Sequence, residues 1–326
     1  MRAWTVAVAG FTLMMSPQLA AAQDWPTRPV TMVVPFAAGG QVDVLGRLLA
    51  ARLGEVLGKQ VVVENVGGAG GMLGANRVAK AAPDGYQFVL GSVSTHAQSQ
   101  SLYKNPLYNA VTDFVPVALV GEAPLVLITR KDLAAASLQD FIAYAKANAA
   151  KMQYGSAGTG SAIHLACALL NLSIGVNITH VPYRGGGPAM QDLLAGRLDY
   201  ACNVITSALP QIKGGNVRPV AILSRERSTV LPDLPSAHEQ GLKDFDVSTW
   251  NAIFLPAGTP AAVVKKLNEA IGEVLNTPAV ASRAEGVGVT FVKPERRSSE
   301  YLAKFQRGEI DKWARTTRAA GIAGTM

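Results

Sequence analysis

The stretch that decides the fold is Val30-Thr31-Met32-Val33-Val34-Pro35-Phe36-Ala37-Ala38-Gly39-Gly40-Gln41-Val42-Asp43-Val44. Its first five residues are apolar or β-branched and stop at Pro35, the pattern of a strand buried on both faces. Beyond the glycines, Leu45, Leu48, Leu49, Leu53, Val56 and Leu57 recur at spacings of three and four, which predicts an amphipathic helix. Between the two runs, Gly39-Gly40 permits positive φ and lets a guest approach the backbone with no Cβ in the way. A helix starting at such a turn aims unpaired N–H groups and a partial positive charge into it, a seat suited to a carboxylate. A plain strand-to-helix connection would read the same way, so the weight falls on whether the arrangement repeats.

It does repeat. Residues 60–64 read as a second strand, followed by the glycine turn 67–71 and a small-residue helix over 72–81. After the turn Pro83-Asp84-Gly85 comes a third strand at 87–91, and strand–helix alternation of this kind specifies a parallel sheet covered by helices. Residues 92–109 are polar and turn-rich, predicting a loop along the strand ends with Thr95 and His96 in it. Apolar runs at 115–122 and 125–129, split by Ala123-Pro124, carry the chain into a second domain. There Ser137 is an N-cap candidate with Asp140 in the first turn. The strand–turn–helix pattern returns at 153–170, with the turn Ser156-Ala157-Gly158-Thr159-Gly160, and again at 178–188. That last turn is Arg184-Gly185-Gly186-Gly187, with Pro188 in the first helical turn. Strands are expected at 200–204 and 217–223, a return crossing at 247–255, helices at 260–275 and 298–320, and a short strand at 289–292. Two crossings divide the chain into residues 23–124 with 248–326 as one α/β lobe, and 125–247 as the other. Ligands of open α/β sheets sit off the carboxyl ends of the strands, and both lobes aim those ends at the cleft.

Composition limits the alternatives. The 326 residues are 49% hydrophobic and 16% charged, enough for two cores. The formal charge is +7, with no Lys/Arg cluster interleaved with aromatics, so nucleic acid is not an expected partner. Residues 1–22 read as a signal peptide, with Arg2, an apolar core and an Ala20-Ala21-Ala22 cleavage pattern; loss of Arg2 leaves a mature charge of +6. No later stretch has the length of a membrane span, so a periplasmic mature chain with no membrane insertion is expected, working as a monomer. Cys167 and Cys202 fall in a predicted helix and a predicted strand of the same lobe. Two buried free thiols are the favoured expectation and a disulfide the alternative.

Catalytic signatures are missing. Gly58-Lys59 lacks the remainder of a P-loop, no dinucleotide fingerprint or G-x-S-x-G elbow occurs, and His96, His164, His180 and His238 show no metal-ligand spacing. No catalytic residue, metal or cofactor is expected. Ser156, Thr159 and Ser161 are candidate donors to a carboxylate oxygen, Ser161 serving equally as a helix cap. Arg184 either faces an anion or is a solvated loop arginine. Asp43 stabilises its helix dipole and either orders the loop amides or accepts from a ligand donor.

These residues resemble the Bug, or tripartite tricarboxylate transporter, family of periplasmic solute-binding receptors. The resemblance is carried by residues 25–30 entering Val33 to Asp43, by Val63-Glu64-Asn65 before the second glycine turn, and by residues 79–86. It continues through Tyr154 to Ser161 with His164, Val181-Pro182-Tyr183-Arg184-Gly185, and Leu255-Pro256-Ala257-Gly258-Thr259-Pro260. It implies a two-lobed α/β periplasmic binding protein of type II, the Venus-flytrap form, with two doubly wound α/β domains and a two-crossing hinge. It also implies a small mono- or dicarboxylate ligand and membrane transporter subunits as partners. The turns at 35–43, 156–161 and 184–189 would hold the carboxylate. The candidate set is Phe36, Ala37, Gly39, Gly40, Gln41, Asp43, Thr95 and His96 from the first lobe. From the second come Ser156, Ala157, Thr159, Gly160, Ser161, His164, Arg184, Gly185, Gly186, Pro188, Ala189 and Asn203. Family members usually carry Gly-Thr or Gly-Ser where this chain has Gln41-Val42, which bears on specificity. Two other readings are a ligand-sensing co-receptor for a signalling partner, and an exported hydrolase or lyase using His96 or His164.

Overall fold

A computed structural model describes residues 25–243 and 245–325; the signal-peptide reading of residues 1–22 lies outside them. The chain runs β1 (Val30–Val34), α1 (Gln41–Leu57), β2 (Val61–Asn65), α2 (Met72–Ala79), β3 (Gln87–Ser92), α3 (Ser99–Leu102) and β4 (Phe114–Arg130). It continues through α4 (Leu138–Asn148), β5 (Gln153–Ser156), α5 (Ala162–Ile174), β6 (Thr179–Pro182), α6 (Gly186–Leu194), β7 (Tyr200–Val204), α7 (Ile205–Lys213) and β8 (Val217–Ile222). The last segment is β9 (Ser248–Pro256), α8 (Ala261–Asn276), α9 (Pro278–Gly286), β10 (Thr290–Phe291) and α10 (Ser299–Ala319).

The β-branched runs form the centres of two lobes. In the first, β2, β1 and β3 are parallel, and β9 and the opening half of β4 add antiparallel strands. Val30, Met32, Val33 and Val34 of β1 are fully buried, and α1 covers them with Leu45, Leu49 and Leu53. In the second lobe β6, β5 and β7 are parallel, while the closing half of β4 pairs antiparallel with β7 and β8. Ser137 caps α4 in a full capping box with Asp140.

The two apolar runs predicted around Ala123-Pro124 are one strand. In β4, Pro124 still faces Ser248 of β9, whereas Leu125 faces Val204 of β7. Pro124, which has no N–H to give, stands where the strand leaves one sheet for the other. The return path lies alongside: the Leu223 amide donates to the Leu125 carbonyl at 2.7 Å and the Val247 amide to the Leu223 carbonyl at 2.8 Å.

Two expectations are corrected here. Cys167 and Cys202 form a disulfide with Cα atoms 5.4 Å apart, because α5 packs directly on β7 and brings both side chains to one buried point. Residues 94–102 are not a loop: Ser94–Gln98 make a wide helical turn that continues into α3, burying Thr95 and His96.

Candidate ligand-binding site

A cavity of about 40 Å³ lies between the lobes, far below the roughly 300–1,000 Å³ of clefts that hold drug-sized ligands. Phe36, Gly40, Gln41, Val42, Ser92, Ser94 and Thr249 line it from the first lobe; Ala157, Ser161, Ala162, Ile163, Gly186 and Val204 line it from the second. No charged side chain is among them.

What faces the cavity is helix ends. The first turns of α1 and α5, the first residue of α6 and the residue before α7 all contribute to the lining. The N-caps of α1, α6 and α7 are Gly40, Gly185 and Val204, none of which supplies a side-chain cap. Their first N–H groups therefore remain free of the usual side-chain partner, each helix adding partial positive charge at the same place. At α5 the donors are partly taken: the Ser161 hydroxyl accepts from the His164 amide at 3.2 Å and Ser94 Oγ from the Ala162 amide at 2.8 Å. The last bond crosses between the lobes. Two more do so: the Ala37 amide donates to the Arg184 carbonyl at 3.1 Å, and the Tyr103 hydroxyl to the Thr159 carbonyl at 2.8 Å.

Asp43 holds the α1 turn in shape. Its carboxylate accepts from the Gly39 amide at 3.0 Å, Asn65 Nδ2 at 2.9 Å and Arg47 Nε at 3.0 Å. Burial pushes its pKa up, but the hydrogen bonds from Arg47, Gly39 and Asn65 with the Arg47 charge outweigh this and hold it below the ordinary value. Of the two roles read from the sequence, the geometry supports ordering of the loop amides. Gln41 turns its Nε2 to Asn251 Oδ1 at 2.7 Å.

Of the candidates, Phe36, Gly40, Gln41, Ala157, Ser161 and Gly186 line the cavity, and the others stand behind or outside it. His96 is fully buried and stacked on Phe254 at 3.8 Å, its pKa pushed down to about 3 by burial. Thr95 spends its hydroxyl on the Ser92 main chain. Ser156 Oγ is 2.6 Å from His180 Nε2 and also takes the Gly158 amide, so it faces away from the cavity. His164 accepts from the Gly160 amide through Nδ1 at 3.2 Å and stacks on His180 at 4.0 Å. Burial pushes His164 down to about 4 and His180 to about 3. Arg184 is exposed, and with Thr159 and Pro188 it lines an outer groove across the lobes. Ala37, Gly39 and Gly185 shape the turns; Ala189 packs inside α6. Asn203 accepts from the Val204 amide and the Ser207 hydroxyl, fixing the start of α7.

Val42, Ser92, Ser94, Ala162, Ile163, Val204 and Thr249 line the cavity without having been among the candidates. Ser92 and Ser94 carried a signal, being hydroxyls at the carboxyl end of a strand beside the first glycine turn. Val204 did not, because Pro210 obscures the helix that follows it.

Fold and site together define a two-lobed α/β protein with a cavity lined from both lobes. Residues 45–322 match the family profile described as tripartite tricarboxylate transporter family receptor, and the chain belongs to that family. BugT of Bordetella pertussis is 38% identical over 317 residues, covering 97% of this chain and 95% of BugT. MatC from Rhodopseudomonas palustris, solved with bound malate, superposes with a TM-score of 0.86 at 40% identity, over 89% of this chain and 99% of that one. A second R. palustris protein, solved with adipate, superposes with a TM-score of 0.88 at 34% identity, over 92% of this chain and 99% of that one. The chain is a solute-binding receptor of the periplasmic binding protein kind and not an enzyme. Among the described residues no helix is long and apolar enough to cross a membrane.

Proposed function

We propose that this receptor captures a small organic carboxylate between its lobes in the periplasm and presents it to a tripartite tricarboxylate-type membrane transporter. The observation that carries the reading is the meeting of uncapped helix N-termini from both lobes in a cavity with no charged side chain. Peptide N–H groups aimed at one point bind an anion without a counter-ion, and each hydrogen bond to a charged partner contributes roughly 1.5–3 kcal/mol. The malate and adipate of the related structures support a carboxylate for this chain. Neither lobe holds the complete seat, so the bound anion favours the closed form, whose joined outer surface is what a transporter subunit would recognise. Residues 23–124 with 248–326 and residues 125–247 are the two moving bodies. A thermal-shift screen of mono-, di- and tricarboxylates tests the reading: a ligand at 100 times its dissociation constant adds about 2.7 kcal/mol of stability. Stabilisation by none of the acids would overturn it.

A further inference from the structure

We propose that Ser92 reads a hydroxyl group on the ligand, so that the receptor selects short hydroxy acids over the same acids without the hydroxyl. This deepens the carboxylate reading and rests on it. Ser92 is 2% exposed at the end of β3, and its amide and carbonyl are both engaged by Thr95 Oγ1, at 3.0 and 3.2 Å. Its own hydroxyl has no partner, and among the described residues it is the one buried, unpartnered side-chain polar atom in the cavity lining. Buried hydroxyls are nearly always paired, so one left open at a ligand cavity marks a place for a ligand atom.

The neighbours narrow the chemistry. Ser94 and Ser161, the other serines of the lining, already accept from the Ala162 and His164 amides. Ser92 stands opposite Asn251 in the β3–β9 ladder, and Thr249, two residues along β9, shares the Asn251 face. Asn251 is held in place by Gln41 and the Gly91 carbonyl. This wall offers hydroxyls and no cation. A second carboxylate buried against it would lack a counter-charge, whereas a neutral hydroxyl both donates to and accepts from Ser92. Gln41 acts at one remove: its amide fixes Asn251 beside the strand end that carries Ser92.

Calorimetric titration of the whole mature receptor with matched pairs tests the proposal: glycolate and acetate, lactate and propionate, malate and succinate, citrate and tricarballylate. The hydroxylated member of the best-bound pair is expected to bind about tenfold tighter. Ser92→Ala is expected to reduce that ratio to about twofold or less, through loss on the hydroxylated acid. Equal affinities in the wild type, or a Ser92→Ala variant that weakens both members alike and keeps the ratio, overturn the subsite while the carboxylate reading stands. Binding of none of the eight acids overturns both.

Discussion

Asp43 is a carboxylate in the first turn of the helix whose start lines the cavity proposed to hold a carboxylate, and its partners explain how that is tolerated. Three donors converge on it, and the side chain spends its charge on Arg47, Asn65 and the Gly39 amide. Its folded pKa lies below 3.8, so its contribution to stability is present above 3.8 and is lost as pH falls through the lower folded value. Asp43→Asn should therefore remove an acid limb from a plot of Tm against pH and weaken ligand binding severalfold by loosening the loop; retention of both would refute the ordering role. Residue type alone pointed to Gly40, Ser161 and Gly186, which line the cavity, because glycines and hydroxyls directly before apolar periodicity mark strand-to-helix turns. His96 and Arg184 lie outside the cavity lining, and residue type gave no sign of it. A histidine in a polar-looking segment and an arginine beside glycines say nothing of which way they face, and the stacking of Phe254 on His96 is a contact across 158 positions of chain.

The strand–turn–helix elements were clear wherever apolar spacing was regular, as in β1, α1, α5 and α8. They were obscured where polar residues occupy a buried helix, as in the turn before α3, or where proline interrupts one, as in α7. Glycine turns also let the main chains of the two lobes approach each other closely. A Cβ on Gly187 would lie 2.5 Å from the Ala38 carbonyl oxygen of the opposite lobe, a separation that side chains do not tolerate. Gly187→Val is expected to fold, since the contact exists only between closed lobes, and to lose more than about tenfold in affinity; undiminished affinity would refute closure through these turns. The disulfide between α5 and β7 closes a separation of 35 residues, which by chain entropy stabilises the second lobe by about 4 kcal/mol. A Cys167→Ala/Cys202→Ala variant should melt markedly lower than wild type under oxidising conditions and be insensitive to reductant. The stacked His180 and His164, like His96, are neutral in the fold, with pKa values of about 3 to 4 against 6.5 when unfolded. Between those values the unfolded chain binds more protons, so stability falls as pH drops from 6.5 towards 4. His180→Gln, which keeps a partner for Ser156, should give a shallower fall in Tm across that window.

At the scale of the molecule, the lobes meet through facing glycine turns and through three cross-lobe hydrogen bonds, one between main chains and two between main chain and a side-chain hydroxyl. Small-angle scattering should show a smaller radius of gyration on adding a stabilising acid to the wild type and little change for Gly187→Val. The two lobes are joined by two crossings of the backbone, and the first of them is a shared strand: β4 belongs to both sheets, pairing with β9 up to Pro124 and with β7 and β8 after it. Such a shared spine bends by twisting and keeps its ladder intact on each side. It also ties the fates of the two halves together, since melting either one strips a partner strand from the other. Calorimetry should accordingly record one cooperative endotherm for the whole receptor instead of two, the mark of a jaw that moves in parts and survives as a unit.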